Sequence, residues 1–282
     1  MNLCAVTTVR AGVGDYVSLL ESDPGRILVR WGFDPSRPCE NLAPKPRDNE
    51  YPWLKNWFPR APEPEIVSDG FSASSGAALT GTAEGAEEMP AGFESETAFA
   101  YPAEMTIEVL FSPKRLPGES ESGVYLFSEE SPAKDGGDEG YAAGGRLIWM
   151  NFRRGVMVSN IGTGPVERST LEWDFAPKEG HWYYVVILAR FYPENRTVLS
   201  VFAADLTEGD RQMRPVLEEG VRKQQTAALM QSGRSILIGN GLRKDAHRDM
   251  RSPPSLWDEI VISEGHLTSE QMQERLAALL KP

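Results

Sequence analysis

The chain has 282 residues, with 41 Asp+Glu against 29 Lys+Arg and a formal net charge of -12. That length fits one large all-β domain or two small ones, and a composition that is 40% hydrophobic and 25% charged excludes wholesale disorder. An acidic surface repels a phosphate backbone, so nucleic acid is excluded as a general partner.

Two basic stretches, Arg211/Arg214/Arg222/Lys223 and Arg243/Lys244/Arg248/Arg251, lack the interleaved aromatics that stack bases and read as solvated loops. The 2 cysteines, Cys4 and Cys39, are too few for a disulfide scaffold; they either pair with each other or stand as unrelated thiols. No apolar stretch approaches the roughly 20 residues of a membrane span, so membrane insertion is not expected. Met1 to Leu20 lacks the basic n-region of a signal peptide.

In chain order, residues 1–25 read as an N-terminal extension, a short strand or helix on the domain edge. Arg26 to Phe33 is apolar and β-branched, a strand that stops at Asp34-Pro35. Residues 36–64 form a long polar, Pro-rich loop that nevertheless carries Tyr51, Trp53, Trp57 and Phe58; such loops are functional or packed as Ω-type excursions. The small-residue, acidic stretch 77–92 suits turns between short strands.

Strand signals become regular after Tyr101: Met105–Ser112, Gly123–Ser128, Trp182–Arg190, Thr197–Ala203, Ser235–Gly239 and Ser255–Ile262. Arg146–Phe152 and Gly155–Ser159 form a predicted hairpin about Arg153-Arg154. Strands of this length, separated by Gly/Pro/Asn/Asp clusters and without helical crossovers, predict an antiparallel two-sheet β-sandwich. One helix closes the chain: Thr268 and Gln271 form a capping box, Leu267 and Met272 hold the staple positions, and Met272, Leu276 and Leu279 mark the buried stripe.

Four stretches resemble the laminin-G-like jelly-roll domains of the concanavalin A-like lectin/glucanase superfamily, common in large bacterial proteins. They are Ile27-Leu-Val-Arg-Trp-Gly-Phe-Asp34, Ala103–Phe111, Gly180-His-Trp-Tyr-Tyr-Val-Val186, and Ile236–Gly239 followed by Leu256–Thr268. The resemblance implies a single jelly-roll domain over residues 26–282, with the last strand lying beside the first and the terminal helix capping the open end. It also implies a lectin-like carbohydrate-binding role and an extracellular or periplasmic setting; the sequence departs from the family at Ala203-Ala-Asp205, where an Asn/Asp-Gly turn is usual, so a wider turn is expected there.

The partner class implied is a carbohydrate or another cell-surface macromolecule. A pyranose offers a C–H face to aromatic platforms, which makes Tyr51, Trp53, Trp57 and Trp149 the candidate binding residues, while Trp31, Trp182 and Trp257 fall in strong strands and belong to the core. Trp173, on a strand approach, is a further aromatic to weigh.

No cofactor is required, but the resemblance admits calcium, with Asp34 and Asp258 as candidate metal ligands; the competing reading of Asp34 is a turn cap. The acidic loop holding Asp135, Asp138 and Glu139 is a separate candidate. The superfamily also contains glycoside hydrolases, which need a carboxylate pair. The nearest matches, Glu104/Glu108 and Asp258/Glu259, lack the glucanase spacing, and strand alternation places Asp258 and Glu259 on opposite faces. The reading therefore leans away from an enzyme. The 3 histidines, His181, His247 and His266, show no metal-ligand spacing.

Overall fold

The computed structural model describes residues 13–23, 26–43, 54–56, 63–68, 70–72, 75–81, 91–96, 102–116, 128–129, 148–153, 156–162, 168–192, 196–223, 236–239 and 253–281. In chain order its elements are α1 (Val13–Ser22), β1 (Ile27–Trp31), β2 (Leu54–Asn56), β3 (Glu65–Val67), β4 (Ala77–Thr80), β5 (Phe93–Ser95) and β6 (Glu104–Pro113). There follow β7 (Ser128–Glu129), β8 (Ile148–Arg153), β9 (Val156–Gly162), β10 (Arg168–Glu172), β11 (Tyr183–Tyr192) and β12 (Arg196–Asp205). The last elements are β13 (Arg214–Lys223), β14 (Ile236–Ile238), β15 (Ser255–Glu264) and α2 (Ser269–Leu279).

The strands form an antiparallel β-sandwich. The main sheet is 8-stranded in the order β13-β12-β11-β6-β15-β4-β3, with β1 also paired to β15. A 4-stranded sheet, β2-β5-β14-β7, and the 3-stranded β10-β9-β8 complete it. The predicted hairpin is present, with Arg153 opposite Val156, and the last long strand does return beside the first. Several short strands escape the sequence pattern because pieces such as Ala77–Thr80 and Phe93–Ser95 offer too few residues to show alternation.

The basic stretch from Arg214 to Lys223 is not a loop. It is an edge strand, paired to β12 through an irregular register. Its Pro and charged residues are those expected of an edge that must not recruit another chain. The N-terminal extension contains a helix: Val13, Tyr16 and Leu20 are its buried residues, at helical spacing, and the chain leaves it just before Pro24.

Alternation along the long strands divides the core in two. Met105, Ile107, Val109 and Phe111 of β6 join Tyr183, Val185, Ile187, Trp257 and Ile260 in the core that also takes Leu54 and Phe93 from the smaller sheet. The opposite face presents Leu110, Tyr184, Val186 and Val261, and packs against Val13, Tyr16 and Leu20 of α1 and Met272, Leu276 and Leu279 of α2. The main sheet is thus covered on both faces, by strands on one and by two helices on the other. Trp31, Trp182 and Trp257 are buried as expected, and so is Trp173, at 2% exposure, which removes it as a binding platform.

β15 breaks the alternation at one place. Trp257 faces Phe111 and Ile260 faces Val109, so Asp258 and Glu259 together oppose a single residue of β6. The bulge coincides with a change of neighbour: residues 255–257 pair with β4, whereas residues 260–263 pair with β1. Gly76, at the entrance to β4, lets that strand approach the exit of β1, since a Cβ there would stand 2.6 Å from the Phe33 carbonyl.

Candidate functional site

The helix-covered face carries a sealed layer of charge. Glu108 points from the middle of β6 under both helices. One of its carboxylate oxygens takes the Arg275 guanidinium of α2; the other accepts the Tyr184 hydroxyl at 2.5 Å and the Tyr16 hydroxyl of α1 at 3.2 Å. Burial first, and then the Glu108 charge, pushes both phenols well above their ordinary range, so both remain donors. A single strand carboxylate therefore fastens both helices to the sheet.

The second half of this layer is the bulge. Glu259 receives Arg30 of β1 in a two-bond clasp, at 3.0 and 2.7 Å. Burial lowers the acidity of Glu259 and the Arg30 charge only partly reverses that, leaving its carboxyl raised. Asp258 accepts the Phe71 N–H at 2.5 Å and the Ser75 hydroxyl at 2.6 Å, both from the segment leading into β4, while its other oxygen has no hydrogen-bond partner among the described residues. Burial, followed by the Glu259 charge, pushes Asp258 up to about 7. Each bulge carboxylate thus holds one of the two short strands that share β15.

The sequence expectation that Asp258 and Glu259 point to opposite faces is corrected here, because the bulge inserts a residue where simple alternation was assumed. Neither is placed to act on a ligand: both are buried, at 0% and 2% exposure. The other weighed pair fails on distance. Glu104 is half exposed and ion-paired to Arg190 at 2.7 Å, and a strand separates it from buried Glu108 by about 13 Å, beyond the separation glycoside hydrolysis uses.

The candidate calcium ligands engage separate donors. Asp34 is a turn cap, its Oδ1 accepting the Ser36 N–H at 2.7 Å and the Ser36 hydroxyl at 2.6 Å, bonds that hold its carboxyl below the ordinary range. Asp258 is bonded to a backbone amide and a hydroxyl, with the Arg30–Glu259 pair beside it. Calcium takes 6–8 oxygen ligands; the hydrogen bonds described here engage Asp34 Oδ1 and Asp258 Oδ2.

Tyr51, Trp53 and Trp57 lie outside the described residues, as do Asp135, Asp138, Glu139 and Cys4. Trp149 lies in β8, where the backbone is described and the side chain is not. Cys39 is a free thiol, half-buried. Among the described residues no helix is long and apolar enough to cross a membrane.

One accessible cluster was not anticipated. Pairing of β11 with β12 sets Tyr183 opposite Asp205, which carries His181, just before β11, to the turn that follows β12. His181 Nδ1 lies 2.9 Å from Asp205 Oδ2 and 4.0 Å from Glu208 Oε1. Asp205 is 7% exposed. Its other oxygen accepts the N–H groups of Thr207 and Glu208 at 3.0 and 3.1 Å, which aims Oδ2 at the imidazole. The ring of His181 stacks near that of Tyr183, with centroids 6.3 Å apart, and Lys178 Nζ closes the outer side on Glu208 Oε1 at 2.8 Å. The turn itself spans Leu206 to Met213; Ala203-Ala-Asp205, expected to form it, are instead the last paired residues of β12.

No family model matches the chain, and no curated protein does. Solved structures do match. The chain is similar to a botulinum neurotoxin type C structure, described as interacting with two ganglioside molecules, at 6% identity and a TM-score of 0.56 over 92% of this chain and 52% of that one. The fold is what they share. Domain 4 of AbnA, a GH43 extracellular arabinanase from Geobacillus stearothermophilus in complex with arabinotriose, matches at 11% identity and a TM-score of 0.50, covering 89% of this chain and 98% of that one. A PL-14 alginate lyase from Aplysia kurodai matches at 12% identity and a TM-score of 0.50, over 74% and 89%. The chain spans about half the length of the neurotoxin structures it resembles, at 52% and 53%.

Proposed function

We propose that the chain is a non-catalytic, lectin-like module of the laminin-G-like, concanavalin A-like kind, one domain over residues 26–282, that binds a carbohydrate on a cell surface or another macromolecule. The observation that carries this reading is a sandwich that spans nearly the whole of an arabinanase domain in complex with arabinotriose. The ganglioside-linked neurotoxin adds a second carbohydrate-related neighbour on the same architecture. The binding surface assigned in this proposal is the aromatic set Tyr51, Trp53 and Trp57, with Trp149, because stacked rings recognise the apolar face of a sugar.

The hydrolase alternative is disfavoured by the fate of the weighed carboxylates. Asp258, Glu259 and Glu108 are spent on holding strands and helices under a closed surface, where no substrate reaches them.

The test is a glycan array probed with the wild-type chain and with a Trp53→Ala/Trp57→Ala double variant whose melting temperature is checked in parallel. The proposal expects saturable binding to a neutral or cell-surface glycan by the wild type, reduced about tenfold or more in the double variant, as loss of an aromatic platform worth 1–3 kcal/mol implies. Wild type that binds no glycan overturns the carbohydrate reading; binding unchanged in a folded double variant overturns the assigned surface.

A further inference from the structure

We propose that His181, Asp205 and Glu208 bind a divalent transition-metal ion of the zinc class, with a solvent molecule filling the remaining position. This inference is independent of the carbohydrate reading. The three donor atoms lie within 4.8 Å of one another. The strand register brings His181, on the approach to β11, to Asp205 at the end of β12, while Glu208 joins them from the local turn that follows.

The donor chemistry selects the ion. An imidazole nitrogen with two carboxylates is a mixed nitrogen/oxygen set, which suits zinc and its neighbours, whereas calcium and magnesium prefer oxygen throughout. Zinc bound to three protein ligands keeps its fourth position open. Ligands about 2.0–2.2 Å from a tetrahedral ion stand roughly 3.4 Å apart, and the distances of 2.9 and 4.0 Å from His181 Nδ1 to Asp205 and Glu208 bracket that spacing. The adjustment falls on Glu208, whose side chain is 54% exposed, while Asp205 is already fixed by two backbone donors.

The cluster already attracts a cation. Lys178 Nζ sits on the carboxylate oxygen of Glu208 that would ligate the ion, at 2.8 Å, and is itself exposed enough to leave. Metal binding would therefore displace the Lys178 ammonium to solvent and take the Nδ1 lone pair of the neutral imidazole, whose single ring proton then sits on Nε2. No other co-reactant is needed.

The full chain, stripped with a chelator, is titrated with zinc by calorimetry and with cobalt(II) by visible absorption. The expected result is one ion per chain, a cobalt spectrum of low coordination number, and affinity lowered about 100-fold or more in both His181→Ala and Glu208→Gln, since even outer-shell changes cost 10–100-fold. Lys178→Ala removes the competing ammonium and is expected to tighten binding severalfold. Glu208→Gln, at an exposed position, retains the fold and keeps the test meaningful if His181→Ala does not. No saturable binding overturns the proposal, as does binding that both substitutions leave unchanged or a calcium titration that matches the zinc one.

Discussion

Two sets of paired carboxylates in this protein do opposite things. Beneath the helices, three carboxylates (Glu108, Glu259, Asp258) face two guanidiniums (Arg30, Arg275) in a closed layer. At the ends of β11 and β12, Asp205 and Glu208 face one imidazole and one ammonium at the surface. In the closed layer every charge has a fixed partner whose loss leaves the other stranded in a low dielectric, so its chemistry is spent on architecture. At the strand ends solvent and an exposed lysine share the compensation, so a ligand can take over at little cost. Asp258, neutral below about pH 7, lets the two remaining carboxylates match the two guanidiniums.

The sharpest way to break this comparison is the same chemical change in both places. Glu108→Gln leaves Arg275 buried without a counter-charge and is expected to cost about 3–5 kcal/mol, whereas Glu208→Gln is expected to leave the urea midpoint unchanged within error. Equal effects would dissolve the distinction. The apolar exchange Glu108→Leu/Arg275→Met is expected to recover much of the loss only when Tyr16→Phe and Tyr184→Phe also remove the two phenols that would otherwise lose their acceptor.

The comparison also explains what could be read in advance. The long strands, the hairpin at Arg153-Arg154 and the capped terminal helix announce themselves, because each depends on residues close in sequence. The return of β15 beside β1 came from resemblance and is present. The closed layer was hidden: Glu108 looks like an outward-facing residue on a half-exposed strand, and only the two helices, placed by long-range packing, bury it. The bulge at Asp258/Glu259 had no signal in the string, since it arises where β4 and β1 meet on one strand.

The strand-end cluster was closer to legible. The two flanking strands were recognised, and the register that pairs Tyr192 with Arg196 carries through to Tyr183 and Asp205. Judging His181 by its spacing along the chain, and not across the hairpin, concealed its two neighbours.

Asp258 gives the next largest effect, and it is a dependence on pH. Its carboxyl is raised from 3.8 to about 7 in the native state. Between those values the folded chain holds a proton that the unfolded chain has lost, so stability contributed by the neutral form is complete below about pH 4 and falls as pH rises towards 7. The slope is about 1.4 kcal/mol per pH unit within that window, and flat above it. Asp258→Asn keeps a carbonyl oxygen to accept from Phe71 N–H and Ser75, and carries no charge. The difference between wild type and variant, measured by denaturant melts from pH 4.5 to 8, is expected to favour the variant increasingly up to about pH 7. A difference that does not change with pH would place the proton elsewhere.

The smallest effect tests whether α2 is held by its own end or by the layer beneath it. Thr268 accepts the Gln271 N–H at 3.2 Å, and the Gln271 side chain accepts the Thr268 N–H at 2.9 Å. Leu267 and Met272 are buried on either side of that cap, at 3% and 2%. Thr268→Ala removes one of the reciprocal bonds and is expected to cost about 1 kcal/mol, a few degrees in a thermal melt. The staple and the Arg275–Glu108 bond keep the helix docked, so hydrogen exchange should rise in its first turn and stay slow around Leu276. If exchange rose along the whole helix, the cap would be holding α2 in place, and the buried bond to Glu108 would follow from docking without causing it.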